Sequence, residues 1–106
     1  MKKKLLFHEK EKFVMSSGKE VVIEMKLSLV VNQNKKYFPE SYQLNWIAFN
    51  KDNPQEKVLF DNHHGKSPHY HIDHDFSQSF EWISLSHTML LFNKKIIERF
   101  GEFPIK

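Results

Sequence analysis

Five of the seven histidines in this chain fall between His63 and His74. They lie in the stretch Asp61-Asn62-His63-His64-Gly65-Lys66-Ser67-Pro68-His69-Tyr70-His71-Ile72-Asp73-His74-Asp75. Three of the four aspartates share it, and Lys66 supplies a positive charge. The segment therefore holds ligands, proton carriers and a cation, which narrows its chemistry to acid–base work, metal binding or phosphate handling. The chain has no cysteine, so a thiolate zinc site and a thiol nucleophile are both excluded.

The sharpest local pattern is His69, His71 and Asp73. Residues two apart on a strand project to the same side, so the three can share one small target. Two imidazoles and a carboxylate suit a three-ligand metal site that leaves a position open for water. The same imidazoles suit general acid and base roles, because histidine's unperturbed pKa of about 6.5 lies near working pH. The plain alternative is a polar, solvent-facing strand edge. Asp61 and Asn62 form a second feature. Both residue types cap turns by bonding to backbone amides. The functional version has Asp61 accepting a histidine's second ring N–H, with Lys66 neutralising charge on a phosphate. Asn62, His63, His64, Asp73 and His74 would then line the binding surface around it.

The elements that must position these residues read as strands followed by one helix. Phe13-Val14-Met15 runs into Ser16-Ser17-Gly18-Lys19, a small polar connection with glycine where a positive φ is needed, which predicts a hairpin. Its partner, Glu20 to Val31, sets Val21, Ile23, Met25, Leu27 and Leu29 against Val22, Glu24, Lys26 and Ser28 in a period of two. Asn32 to Glu40 is polar and includes Pro39, which predicts a loop. Tyr42, Leu44, Trp46 and Ala48 then alternate as a third strand, and Asn50-Lys51-Asp52-Asn53-Pro54 reads as a turn. Val58-Leu59-Phe60 reads as a short fourth strand with Asp61 and Asn62 at its end. The segment from His69 to Asp75 alternates again, with His69, His71, Asp73 and Asp75 on one side. Ser84 is a suitable N-cap for a helix carrying Leu85, Met89, Phe92, Ile96 and Phe100 on its apolar face, with Gly101 as the stop. The expected architecture is α+β: one antiparallel meander sheet of five to six strands with a C-terminal amphipathic helix packed on one face.

At 106 residues with ten phenylalanines, the chain suits a single domain with one core. Leu5, Leu6 and Phe7 are too short an apolar run for a signal peptide, and no run approaches membrane-spanning length, so the expected location is the cytoplasm. The net charge is +3, and Arg99 is the only arginine beside fifteen lysines. Lysine is a point charge, whereas arginine's planar fork reads bases and phosphates bidentately, so sequence-specific nucleic-acid recognition has little support. Lys94, Lys95 and Arg99 near the helix end complement its dipole and could extend a phosphate path. His8 and His87 read as ordinary surface or core residues.

The segment Phe60-Asp61-Asn62-His63-His64-Gly65-Lys66-Ser67-Pro68-His69-Tyr70-His71-Ile72-Asp73-His74-Asp75 resembles the signature of the TumE-like family of small bacterial and archaeal proteins. Members pair an aromatic-Asp-Asn step with a downstream Gly-Lys and a His-x-His. The matching positions are Phe60, Asp61, Asn62, Gly65, Lys66, His69 and His71. The resemblance implies a toxin-like component of a toxin–antitoxin pair, encoded beside a helix-turn-helix antitoxin. It carries no catalytic assignment. Together with the residues themselves it leads to an expected ribonuclease with His69 and His71 as a metal-independent acid–base pair, Lys66 stabilising the phosphorane and Asp61 orienting an imidazole. The other readings are a non-enzymatic interaction module of the same system and a histidine-based protein binding a divalent metal through His69, His71 and Asp73.

Overall fold

The computed structural model describes residues 2–31 and 34–104. Six strands follow one another in space as they do in sequence: β1 (Lys3–Val14), β2 (Glu20–Val30), β3 (Tyr42–Asn50), β4 (Asn53–His63), β5 (Lys66–Ile72) and β6 (Phe76–Ser79). Every neighbouring pair is antiparallel. Among the described residues one α-helix, α1 (Leu85–Phe100), follows the strands and packs on the sheet, nearest β4. The expected α+β meander is the observed fold. None of the described helices is long and apolar enough to cross a membrane.

Period-two alternation builds the core. Val21 and Leu27 of β2, Leu44, Trp46 and Ala48 of β3, Val58 and Phe60 of β4 and Tyr70 of β5 are buried together with Phe92, Ile96 and Phe100 of α1. Phe60 is the hub: its ring lies 5.2 Å from Tyr70, 5.3 Å from Phe80 and 5.2 Å from Phe92. Burying one such ring is worth roughly 1.5–3 kcal/mol. Trp46 is fully buried, and its indole N–H has no hydrogen-bond partner, so its place is held by packing alone.

The helix face is shifted slightly from the expected one. Thr88 is buried and donates from Oγ1 to the Ser84 carbonyl, while Met89 is exposed. Ser84 caps the first turn, accepting the His87 N–H at 3.0 Å. At the far end, Ser17 Oγ donates to the Phe100 carbonyl and the Glu102 N–H donates to Ser16 Oγ. The tip of the β1–β2 hairpin thus supplies partners where the last carbonyls of a helix lack intrahelical ones. Gly18 takes the positive φ of +88° that this tip requires.

Two strands are longer than the sequence suggests. β1 reaches back to Lys3 despite alternating little in hydropathy, because it is an edge strand whose charges face solvent; His8 sits 2.6 Å from Glu24 on β2. β4 begins at Asn53 and includes Pro54, so the turn is confined to Lys51 and Asp52, and Asp61 and Asn62 lie within a strand and not after a short one. Pro54 is tolerated close to the strand's start, where its missing N–H costs no ladder bond. Of the loop expected from Asn32 to Glu40, Asn32 and Gln33 lie outside the described residues; Pro39–Ser41 forms a single 3-10 turn.

Asn62 fixes the end of this strand pair. It is 2% exposed, at a β-bulge between Asp61 and His63. Its Oδ1 accepts the Leu44 N–H at 2.7 Å, and its Nδ2 donates to the Tyr37 and Tyr42 carbonyls at 2.7 and 2.9 Å. The side chain expected to bind a ligand is therefore fully engaged in tying the 34–42 segment to β4. Removing one side of a buried hydrogen bond costs about 1–3 kcal/mol. With three bonds lost at once, Asn62→Ala is expected to destabilise the fold by more than about 2 kcal/mol in urea unfolding; a change within experimental error would show that the segment is held by other contacts.

Candidate functional site

Strand alternation separates the histidine segment into two faces. Phe60 on β4 and Tyr70 on β5 point to the helix. Their neighbours Asp61, His69 and His71 therefore point to the opposite face. The register places Asp61 directly across from His69, and β6 brings Ser79 opposite His69 and Ser77 opposite His71. Gly65, at φ +87°, makes the tight turn that returns β5 against β4.

These three side chains converge. His69 Nε2 lies 2.8 Å from Asp61 Oδ1, and His71 Nε2 lies 3.9 Å from the same oxygen. The two imidazole rings meet edge to face at 4.9 Å. His69 is 8% exposed, and its Nδ1 is 2.8 Å from the Ser67 carbonyl. Since a carbonyl only accepts, that contact puts a proton on Nδ1. Despite its proximity to His69, Asp61 Oδ1 is buried without a hydrogen-bond partner; the two atoms are at ion-pair distance, but the geometry closes no hydrogen bond between them. Asp61, His69 and His71 offer ligand atoms all within 4.8 Å of one another.

The cluster forms one wall of an open cleft of about 390 Å³ whose lining is mostly polar. Lys66, Ser67, His63 and Gly65 come from the β4–β5 turn, Ser77 and Ser79 from β6, and Lys36 and Tyr37 from the segment before β3. A second depression adjoins it through Asp61 and His63 and carries Lys3, Lys26, Gln43 and Asn45. Asp61 thus sits between two sets of lysines on one face of the sheet.

Of the residues expected to do chemistry, the structure brings Asp61, His69, His71 and Lys66 together. Asp73 departs from the expected metal set. β5 ends at Ile72, and Asp73 adopts φ 54° at the start of a turn, so the alternation that would have aligned it with His71 stops one residue too soon. Its Oδ1 instead accepts the Lys57 N–H at 3.0 Å and the Arg99 Nε–H at 3.2 Å. Asp61 takes its place beside the two imidazoles. His74 is exposed in the same turn, away from the cluster. His63 lines the cleft with its ring 6.0 Å from that of His69, whereas His64 packs edge-on to Tyr37 at 5.7 Å. Lys95 and Arg99 do not extend the cleft: Lys95 pairs with Glu98 and lies over the Tyr70 ring, and Arg99 clamps Asp73 and Glu56 on the helix side. Sequence reasoning missed Lys36, Tyr37, Ser77 and Ser79. Only the Ser-x-Ser alternation of β6 hinted at a polar strand face; the approach of Lys36 and Tyr37 is a tertiary event with no local signal.

No protein-family model matches the chain, and comparison with characterised proteins and with solved structures also finds no match. The TumE-like resemblance consequently rests on the signature residues themselves.

The Asp73 clamp has a pH signature. Burial alone would raise its carboxyl, but the Arg99 hydrogen bond and the Lys57 N–H outweigh that and hold it below its ordinary value of 3.8. A carboxyl depressed in the folded state contributes stability that is complete above the unfolded value and is lost as pH falls through the folded one. Asparagine tolerates the same positive φ. Asp73→Asn is accordingly expected to lower the melting temperature at neutral pH, with the gap to the parent closing below about pH 4. A gap that stays constant or widens in acid would show that the clamp is not electrostatic.

Proposed function

We propose that this protein is the toxin-like component of a bacterial or archaeal toxin–antitoxin pair and acts as a metal-independent ribonuclease in the cytoplasm, restrained by a helix-turn-helix antitoxin from an adjacent gene. The observation that carries the reading is the convergence of Asp61, His69 and His71 on one wall of a lysine-lined cleft. RNA suits that cleft because Lys36 and Lys66 on one side and Lys3 and Lys26 on the other give a backbone path past the imidazoles. Lysine point charges attract phosphates without reading bases, which fits cleavage with little sequence preference.

The chemistry is a transesterification. His71, the more accessible imidazole, takes the proton of a ribose 2′-hydroxyl as the oxygen attacks the adjacent phosphorus. His69, as imidazolium beside the Asp61 carboxylate, gives a proton to the departing 5′-oxygen. A 2′,3′-cyclic phosphate and a free 5′-hydroxyl result, and Lys66 stabilises the charge that builds on the phosphorane. Asp61 Oδ1 lies 2.8 Å from His69 Nε2, beside the nitrogen that gives up the proton.

A positioned acid or base contributes about 10²–10⁴-fold in rate. His71→Ala is expected to slow RNA cleavage by at least about 100-fold and to relieve growth inhibition on expression without the antitoxin, with an unchanged circular dichroism spectrum. Lys66→Ala should slow cleavage while keeping the bell-shaped pH dependence, since it acts on charge and not on proton transfer. EDTA should leave the rate unchanged. If the purified chain cleaves no RNA while the folded His71→Ala variant is as toxic as the parent, the protein acts by binding a partner instead. A neighbouring gene without a helix-turn-helix product would remove the toxin–antitoxin assignment.

A further inference from the structure

The unpartnered carboxylate oxygen of Asp61 is costly. Buried polar groups are almost always hydrogen-bonded, and an orphan among them calls for a specific cause. Its nearest neighbour deepens the problem. The Ser67 carbonyl places a proton on His69 Nδ1, so in the neutral ring Nε2 presents a lone pair, 2.8 Å from the lone pairs of Asp61 Oδ1. His71 Nε2 adds a third donor atom 3.9 Å from that oxygen. A cation held among these three atoms would supply the partner that Asp61 Oδ1 lacks.

We infer that Asp61, His69 and His71 form a binding site for one divalent first-row transition-metal ion. Ligands around a tetrahedral ion with bonds of about 2.0–2.1 Å lie about 3.3 Å apart. The observed separations, 2.8 and 3.9 Å with all ligand atoms inside 4.8 Å, straddle that value. The surroundings match as well. A ligating histidine typically donates its other ring N–H to a backbone carbonyl or carboxylate, which fixes the tautomer and ring orientation; Ser67 does this for His69. All three residues line the open cleft, which would give a water or substrate access to an ion held there. Two imidazoles and one carboxylate favour zinc, nickel or cobalt over magnesium or calcium, which take oxygen ligands.

The convergence of the three side chains is enough to hold the ion, whatever the protein's activity. Its consequence for activity rests on the ribonuclease reading: a bound ion takes the lone pairs that proton transfer needs, so metal loading switches the acid–base pair off. Calorimetric titration with Zn²⁺, Ni²⁺ and Mg²⁺ at neutral pH tests the site, with Co²⁺ absorption reporting coordination geometry. One equivalent of Zn²⁺ or Ni²⁺ should bind and Mg²⁺ should not. Losing a ligand should weaken binding by about 100-fold or more, at least as much as losing a residue that only supports one. His71→Ala, at the more exposed position, and the isosteric Asp61→Asn are the variants of choice. Asp73→Asn, which removes the carboxylate nearest in sequence, should leave affinity unchanged. The proposal fails if the folded parent binds no Zn²⁺, or if folded His71→Ala and Asp61→Asn bind as tightly as the parent. Cleavage assays separate the two ideas. Zn²⁺ inhibition reversed by EDTA supports both. Cleavage that requires the metal supports the site and overturns the metal-independent mechanism. Stoichiometric Zn²⁺ binding without any RNA cleavage supports the site and overturns the ribonuclease.

Discussion

The register between β4 and β5 is the constraint on which the candidate site depends. It sets Asp61 opposite His69 and Phe60 opposite Tyr70. Because side chains alternate with a period of two, this single pairing sends the aromatic pair to the helix and the acid and imidazole to the other face. A slip of β4 by one residue would turn Asp61 under α1, away from His69, and expose Phe60. The stacked Phe60–Tyr70 rings and the ring of Phe92 against Phe60 make that slip expensive. The core therefore does more than stabilise the sheet. It fixes the distance between a carboxylate and two histidines that sit on the far side.

Polar residues at the edges of this hairpin protect the register. Asn62 replaces missing ladder partners at the bulge, offering its amide oxygen to Leu44 and its amide nitrogen to two carbonyls. Asp73 closes the opposite end, where a carboxylate bridges the Lys57 N–H and the Arg99 side chain. One clamp ties the 34–42 segment to the sheet; the other ties the last turn of α1 to the β5–β6 turn. Both lie within the motif that suggested chemistry, yet their hydrogen-bonding groups are spent on architecture.

Legibility in the sequence followed the range of the interactions involved. The Ser84 cap, the Gly101 stop and the Gly18 hairpin are local signals that the structure has, and the β2 alternation holds as far as Leu27, after which Ser28 and Val30 are buried and Leu29 is only half-buried. His69 and His71 were legible as a pair because they are two apart on one strand. Asp61 was visible as a residue that could orient an imidazole, but its membership in the cluster comes from strand pairing across a turn, which spacing alone does not reveal. Asp73 looked equivalent because the His-x-His-x-Asp alternation continues in sequence after the strand has ended. A single positive φ breaks that periodicity, and the nearby Arg99 that rewards the break is 26 residues away. The buried Thr88 in place of Met89 has the same origin: a threonine whose hydroxyl bonds back to the Ser84 carbonyl is internally satisfied and can be buried at little cost.

The remaining local conflict is instructive because so few others accompany it. Sheet, turns and caps are mutually consistent, and among the side chains of the described residues only Trp46 Nε1 and Asp61 Oδ1 are buried without a hydrogen-bond partner. The indole N–H accompanies a large ring whose packing compensates for it, with Phe92 5.5 Å away. Asp61 has no such compensation, because a carboxylate contributes little apolar area. Sequences that fold reliably break local rules mainly where something other than stability is at stake. A dry, unsatisfied oxygen 2.8 and 3.9 Å from two imidazole nitrogens, beside a lysine-lined cleft, is the point at which a bound cation would supply the missing partner. The packing of Phe60 thus fixes one electron-rich point on the opposite face, and the chemistry of the site is the chemistry of what that point attracts.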